Sequence, residues 1–173
     1  MESLHDNEYI WARKISRLMS LQKKRPPVIL GRSDRVDLPD LGLENIHAKM
    51  DTGAYSCSLH CSRAEVVGGA LEFILLDEEH PEFTGMPFRV SSFEQREIRN
   101  SFGEAELRYV IKSRIRIHGR LIRAEFSLSN RGNLKFPVLL GRKILRHRFL
   151  IDVTKKDISY LYKTGLSHKG SSS

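Results

Sequence analysis

The chain has 173 residues, 40% of them apolar and 8% aromatic, and a net charge of +8. That length suits one domain with a real core. No stretch approaches the roughly 18 consecutive apolar residues of a membrane span, and residues 1–30 mix Glu, Asp, Lys and Arg where a secretion signal would be apolar. A cytoplasmic protein with no membrane partner is expected.

Residues 2–24 read as an amphipathic helix, with Tyr9, Ile10, Ile15, Leu18, Met19 and Leu21 at helical spacing, stopped by Pro26 and Pro27. From Val28 the pattern becomes β. A strand opens at 28–31, and 32–40 is turn-rich. Strands follow at 46–50, 56–61 and 71–76, then an acidic loop over 77–85 and a strand at 88–90. Residues 98–117 form a hairpin with its turn at 100–103, and His118-Gly119 turns the chain into an alternating strand at 121–128. A loop at 130–133 leads to an apolar strand at 136–140, a short helix at 144–149 and a last strand at 150–153. The end of the chain is polar and poor in apolar residues, which predicts disorder. Many short strands with glycine-marked turns predict a mostly β sandwich or barrel with little helix. The expected division is a helical arm over 1–27, a globular domain over 28–163 and a disordered tail over 164–173.

The two cysteines, Cys57 and Cys61, are too few for a disulfide framework, and with His60 they spell C-x-x-H-C. Structural zinc takes four ligands from spaced pairs and no second pair exists, so buried strand cysteines are the favoured reading, with no metal and no cofactor. The positive charge is unevenly spread. Between Arg99 and Arg148 stand 13 basic residues against Glu104, Glu106 and Glu125, a net +10. Such a segment favours an acidic partner, either a polyacidic peptide or nucleic acid, although a solvated strand surface explains any single one of these residues.

The most informative stretch is Asp51-Thr52-Gly53-Ala54, set between two strands. Asp supplies a carboxylate and Thr a short hydroxyl, and Gly allows a sharp turn and close backbone approach. Taken alone, the tetrapeptide also fits a turn capped by the Asp side chain. Far downstream comes Val138-Leu139-Leu140-Gly141-Arg142, an apolar run ending in Gly-Arg.

Together with A-K-M-D-T-G-A (48–54), S-L-H (58–60), the run 96–111, F-P-V-L-L-G-R (136–142) and F-L-I-D (149–152), this order resembles the bacterial retropepsin-like aspartic endopeptidases. Members of that group are often labelled ATP-dependent zinc proteases. The resemblance spans about Val28 to Asp152. The label's zinc and ATP find no counterpart, since neither H-E-x-x-H nor a Gly-Lys phosphate loop occurs.

The resemblance implies a closed β-barrel or sandwich with one short C-terminal helix and an N-terminal accessory helix. It also implies chemistry at two carboxylates that share one proton, one activating water and the other hydrogen-bonding the scissile carbonyl. Only one D-T-G is present, and Asp34, Asp37, Asp40, Asp77, Asp152 and Asp157 lack its context. The second Asp51 would come from a second copy, so a homodimer follows.

By position, Asp51 is the catalytic residue, Thr52 would bond across the dyad and Gly53 would donate its N–H to the carboxylates. Gly141 would let the 138–140 strand cross close to the turn, and Arg142 would anchor the dimer. Ser101, Phe102 and Gly103 would form the tip of a flap. Ala54, Tyr55 and Leu140 would line the substrate cleft, with Tyr55 standing where the family pattern has a basic residue. Relatives are associated with ligases that add glutamates to a protein tail, so a glutamate-extended substrate is implied. The alternative is a non-catalytic basic module for RNA or a ribosomal partner.

Overall fold

The computed structural model describes residues 25–99, 103, 105–130 and 135–166, together with Arg13. The expected arm over 2–24, the hairpin tip at Ser101 and Phe102, most of the 130–133 loop and the end of the tail lie outside the described residues.

Eleven strands follow in chain order. They are β1 (Val28–Gly31), β2 (Ser33–Leu38), β3 (Leu43–Met50), β4 (Cys57–Val67), β5 (Ala70–Leu75), β6 (Pro87–Val90), β7 (Phe93–Arg99), β8 (Ala105–Ile117), β9 (Arg120–Ser129), β10 (Val138–Leu140) and β11 (Phe149–Asp152). A 3-10 turn (Pro39–Leu41) links β2 to β3, and two short helices, α1 (Arg142–Leu145) and α2 (Ile158–Thr164), complete the described chain.

The strands pair in the order β10-β3-β2-β8-β9-β4, and β4 returns to β10, closing a six-stranded barrel. The long strands then leave the barrel to pair again. The second half of β4 carries β5 and β6, and the first half of β8 carries β7. Closure leaves those six strands no open edge. Separately, β1 and β11 pair in parallel, Val28 with Phe149 through Gly31 with Asp152.

Alternation explains which face each strand buries. In β8, Ile111, Ser113, Ile115 and Ile117 point into the core while Lys112, Arg114 and Arg116 stand outside. In β3, Ile46, Ala48 and Met50 are buried beside exposed His47 and Lys49. The first five residues of β4, Cys57 to Cys61, are all buried, so both faces of that half-strand are covered while β9 and β10 pair along its edges. Burial pushes both thiols up to about 11, so each behaves as a small apolar side chain.

Two expectations are corrected. Residues 33–38 form strand β2 and not a turn. Their aspartates, which suggested a turn, are buried and satisfied from a distance. Asp34 is 0% exposed and accepts backbone N–H groups from Arg35 (2.8 Å), Ser159 (2.7 Å) and Tyr160 (3.1 Å). Asp37 takes Lys163 Nζ at 2.8 Å and Asn45 N at 3.0 Å. The second correction is α2 itself, since only one C-terminal helix was expected. Ile-Ser-Tyr-Leu-Tyr-Lys-Thr holds three β-branched or aromatic residues in its first five, and Asp157 at its N-cap makes no side-chain cap hydrogen bond. Asp34 supplies the missing cap from β2, by binding the first free N–H groups of the helix.

Candidate active site

The Asp51 turn is built from three separated pieces of chain. β3 runs into it and β4 leaves it, and β10 lies between these two strands, parallel to β3 and antiparallel to β4. Leu140 sits opposite Met50 in that register. The Asp51 N–H donates to the Leu140 carbonyl at 2.9 Å, and Met50 N donates to the Arg32 carbonyl at 3.0 Å. The catalytic candidate therefore begins at the last rung of a ladder.

Within the turn, the Asp51 carboxylate is held by its own backbone. Oδ1 accepts the N–H groups of Gly53 at 3.1 Å and Ala54 at 3.2 Å. Oδ2 has no hydrogen-bond partner among the described residues, and the side chain is half-buried. One oxygen is thus fixed and the other is presented. A Cβ added to Gly53 would lie 3.3 Å from Oδ1, closer than ordinary contact, so a side chain there would press on the held oxygen.

Gly141 is more constrained still. A Cβ on it would stand 2.3 Å from the Ser56 carbonyl oxygen and 2.7 Å from that of Tyr55. Only glycine lets β10 pass this close to the chain leaving the turn. The next residue, Arg142, reaches back. Its Nη1 donates to the carbonyls of Thr52 (3.0 Å) and Gly53 (2.7 Å), and its backbone N–H donates to Ala54 O at 2.9 Å. Lys143 N donates to Tyr55 O, also at 2.9 Å. Arg142, expected at a dimer contact, binds the turn of its own chain.

The residues expected in the site fare differently. Asp51, Thr52, Gly53, Ala54 and Tyr55 form one surface loop, with Thr52 and Gly53 exposed and Tyr55 61% exposed. Leu140 is 0% exposed, so its side chain is core and not cleft. Its contribution is the carbonyl under Asp51. Gly103 is exposed with φ of 83°, the left-handed backbone a hairpin tip needs, and β7 and β8 pair up to Arg99 with Ala105 on either side of it. The hairpin is therefore formed, while Ser101 and Phe102 lie outside the described residues.

Sequence reasoning missed one contact between a buried histidine and a half-buried aspartate. His60 on β4 is almost fully buried, and its Nε2 lies 2.9 Å from Asp77 Oδ2. The two stand 17 residues apart, with no local signal linking them. Among the described residues no group of three or more His, Cys, Asp or Glu could hold a metal ion, and no helix is long and apolar enough to cross a membrane.

A closed six-stranded barrel with an Asp-Thr-Gly turn clamped by a Gly-Arg strand end defines the retropepsin-like class of aspartic peptidase folds. The chain belongs to the RimB-like family, described as retropepsin-like aspartic endopeptidase RimB, whose profile matches residues 29–160. Relatives called "Probable alpha-L-glutamate ligase" also match. The one from Desulfotalea psychrophila is 28% identical over 82% of this chain and 33% of its own length. That from Shewanella pealeana is 32% identical over 72% of this chain and 28% of its length, and that from Parasynechococcus marenigrum is 33% identical over the same shares. The chain thus spans about a third or less of these relatives. A crystal structure of a Legionella pneumophila protein of unknown function (DUF785) superposes with a TM-score of 0.54 at 25% identity, covering 76% of this chain and 98% of that one.

Proposed function

We propose that the protein is an aspartic endopeptidase that works as a homodimer, with the Asp51 of each copy contributing one carboxylate. The observation that carries this is the state of Asp51 itself. One oxygen is pinned by two N–H groups, the other is unpartnered among the described residues, and the turn is exposed. A peptidase dyad needs a second carboxylate within a few ångströms, and no other aspartate in the chain sits in a D-T-G turn. A two-fold axis at the turn supplies it from an identical copy.

In that dimer the two carboxylates share one proton. The ionised member takes a proton from water, which adds to the scissile carbonyl, and the protonated member hydrogen-bonds the carbonyl oxygen as charge develops there. Thr52 bonds across the axis and the β7–β8 hairpin closes over the substrate, excluding water. Ala54 and Tyr55 flank the bound chain.

For the substrate we infer an acidic peptide, specifically a glutamate-extended protein tail. Support comes from two directions. The relatives' names concern glutamate ligation, so a hydrolase related to a segment of such proteins would meet the ligated product. Independently, the segment from Arg99 to Arg148 carries a net +10, suited to rows of carboxylates. A cytoplasmic setting agrees with two buried cysteines that form no disulfide.

The test is cleavage of a glutamate-extended peptide beside a neutral peptide, using the wild type and Asp51→Asn, with sedimentation to give the oligomeric state. Cleavage by the wild type alone, with a dimer in solution, supports the reading. A monomer at high concentration that still cleaves would sink the shared dyad. Salt-sensitive RNA binding by both proteins, with no cleavage by either, would favour a basic binding module instead.

A further inference from the structure

We propose that Glu125 is a positioning residue that ties the β7–β8 hairpin to α1, and through α1 to the Asp51 turn. This rests on the peptidase reading above, in which the hairpin covers the bound substrate, and adds to it the side chain that sets where the hairpin stands.

The strand register marks where the hairpin leaves the barrel. The β8–β9 ladder runs from Ile117 opposite Arg120 to Val110 opposite Ser127. Residues 105–109 of β8 lie beyond it and are paired with β7, out to Ala105 opposite Arg99. Arg96 stands opposite Arg108, on this projecting part. Glu125 stands opposite Lys112, inside the barrel ladder. Alternation puts Arg96, Arg108, Lys112 and Glu125 on one face of the three strands.

Across that point of departure Arg96 Nη1 donates to Glu125 Oε2 at 2.9 Å. The same oxygen accepts Lys143 Nζ from α1 at 2.6 Å. One carboxylate oxygen is thus shared by the hairpin and by α1. Arg96 is steadied on its own strand, where its Nε donates to Glu94 Oε2 at 2.9 Å. On the other side, the Lys143 backbone N–H donates to the Tyr55 carbonyl at 2.9 Å, and neighbouring Arg142 holds the carbonyls of Thr52 and Gly53. Hairpin and turn are therefore joined by a short run of residues with Glu125 in the middle. Its two cations hold its carboxyl down at about 2, so it carries its charge throughout the neutral range.

Arg89 and Glu72 make a useful contrast. They also bridge two strands, but β5 and β6 are already paired at that rung, so their contact fixes nothing new. β7 and β9 are separated by β8, and Glu125 adds a link that the ladders do not supply. Solvated ion pairs contribute little to global stability, so the effect of this one is expected in the placing of the hairpin and less in the unfolding of the domain.

The experiment follows amide hydrogen exchange in β7, in residues 105–109 and at Gly53 and Ala54, with KM and kcat measured on the glutamate-tailed peptide. The full chain is compared with Glu125→Gln, Arg96→Gln and Lys143→Gln, and Glu72→Gln is the control. Glu125→Gln is expected to speed exchange about threefold or more in both hairpin and turn. Arg96→Gln should do so in the hairpin, Lys143→Gln at the turn and Glu72→Gln at neither. Removing a negative charge would by itself favour an acidic peptide and lower KM. Lost positioning raises it, and a rise of about threefold with kcat held within about twofold is expected for Glu125→Gln. A KM that falls or holds overturns the proposal, as does hairpin exchange that matches the Glu72→Gln control. Should Glu125→Gln fail to fold, Arg96→Gln removes the hairpin contact from a half-exposed side chain, and unchanged hairpin exchange there is equally fatal. Wild type that cleaves nothing while the exchange pattern appears would strike the peptidase reading and leave the tie standing.

Discussion

Asp34 and Asp51 lie one strand apart, and their surroundings are opposite. Asp34 stands opposite Ala48 in the β2–β3 register, three residues before Asp51 along β3. It is wholly buried, accepts three N–H groups and caps α2. Asp51 is half-exposed and accepts two N–H groups on a single oxygen. A buried carboxylate with both oxygens engaged is structural, whereas one held at a single oxygen is positioned with the other left open. A fully engaged carboxylate and a half-open one are separated here by a few residues of one ladder.

Substitutions sharpen that contrast. Asp51→Asn is expected to cut peptide hydrolysis by roughly 10³-fold or more, about 4 kcal/mol in the barrier, while the melting temperature stays within a degree or two. Asp34→Ala should do the reverse. It strands buried N–H groups and uncaps α2, at a cost of about 3 kcal/mol measured by urea unfolding, and dimeric enzyme that remains folded keeps its kcat. A variant at Asp34 that lost activity before stability would erase the distinction.

Gly141→Ala comes next. Its methyl would collide with the Ser56 carbonyl, so a loss of about 2 kcal/mol or more in stability is expected together with lost activity, because the strand it displaces supports Asp51. Arg142→Ala should cost about 1 kcal/mol and loosen the turn, read as faster hydrogen exchange at Gly53 and Ala54.

The smallest effects are those of pH. Burial is the main cause that raises the Asp34 carboxyl above its ordinary range, with its three N–H bonds opposing it. The folded state therefore holds that proton more tightly than the unfolded chain, and this increment of stability fades as pH rises past the unfolded value. Glu125 has the opposite sign. Held at about 2 by Arg96 and Lys143, it stabilises the fold above the unfolded value of about 4.3 and loses that contribution as pH falls toward 2. Because the Glu125 pairs are largely solvated, its effect should be well under 1 kcal/mol. Comparing Asp34→Asn with Glu125→Gln in unfolding at pH 3 and pH 6 checks both slopes.

Much of the site was legible in the sequence because its constraints are local. Asp-Thr-Gly-Ala must turn and bond itself, and Gly141 must let a strand pass, so both leave marks in residue type. The β8–β9 alternation was equally plain. What stayed hidden depends on partners far along the chain. Strand β2 was read as a turn because Asp34 and Asp37 look solvent-seeking until Ser159, Tyr160 and Lys163 arrive to satisfy them. Helix α2 was missed for the complementary reason, as its cap lies 125 residues upstream. Leu140 was misjudged because an apolar residue beside the Asp51 turn can serve a cleft or the core, and the register decides which.

The insertion of β10 between β3 and β4 has a consequence for how the protein comes into being. Strands that neighbour each other in sequence are here held apart by a segment made about ninety residues later, and Asp51 takes its support from the Leu140 carbonyl. During synthesis the Asp51 turn emerges early but lacks the strand that supports it until residues 138–140 have been made. Contacts of such long separation also slow folding. A nascent or truncated chain lacking residues beyond 137 carries the whole Asp-Thr-Gly motif and yet lacks the strand that orders it. The order of the chain itself thus keeps the Asp51 turn from taking its final form before the domain around it is finished.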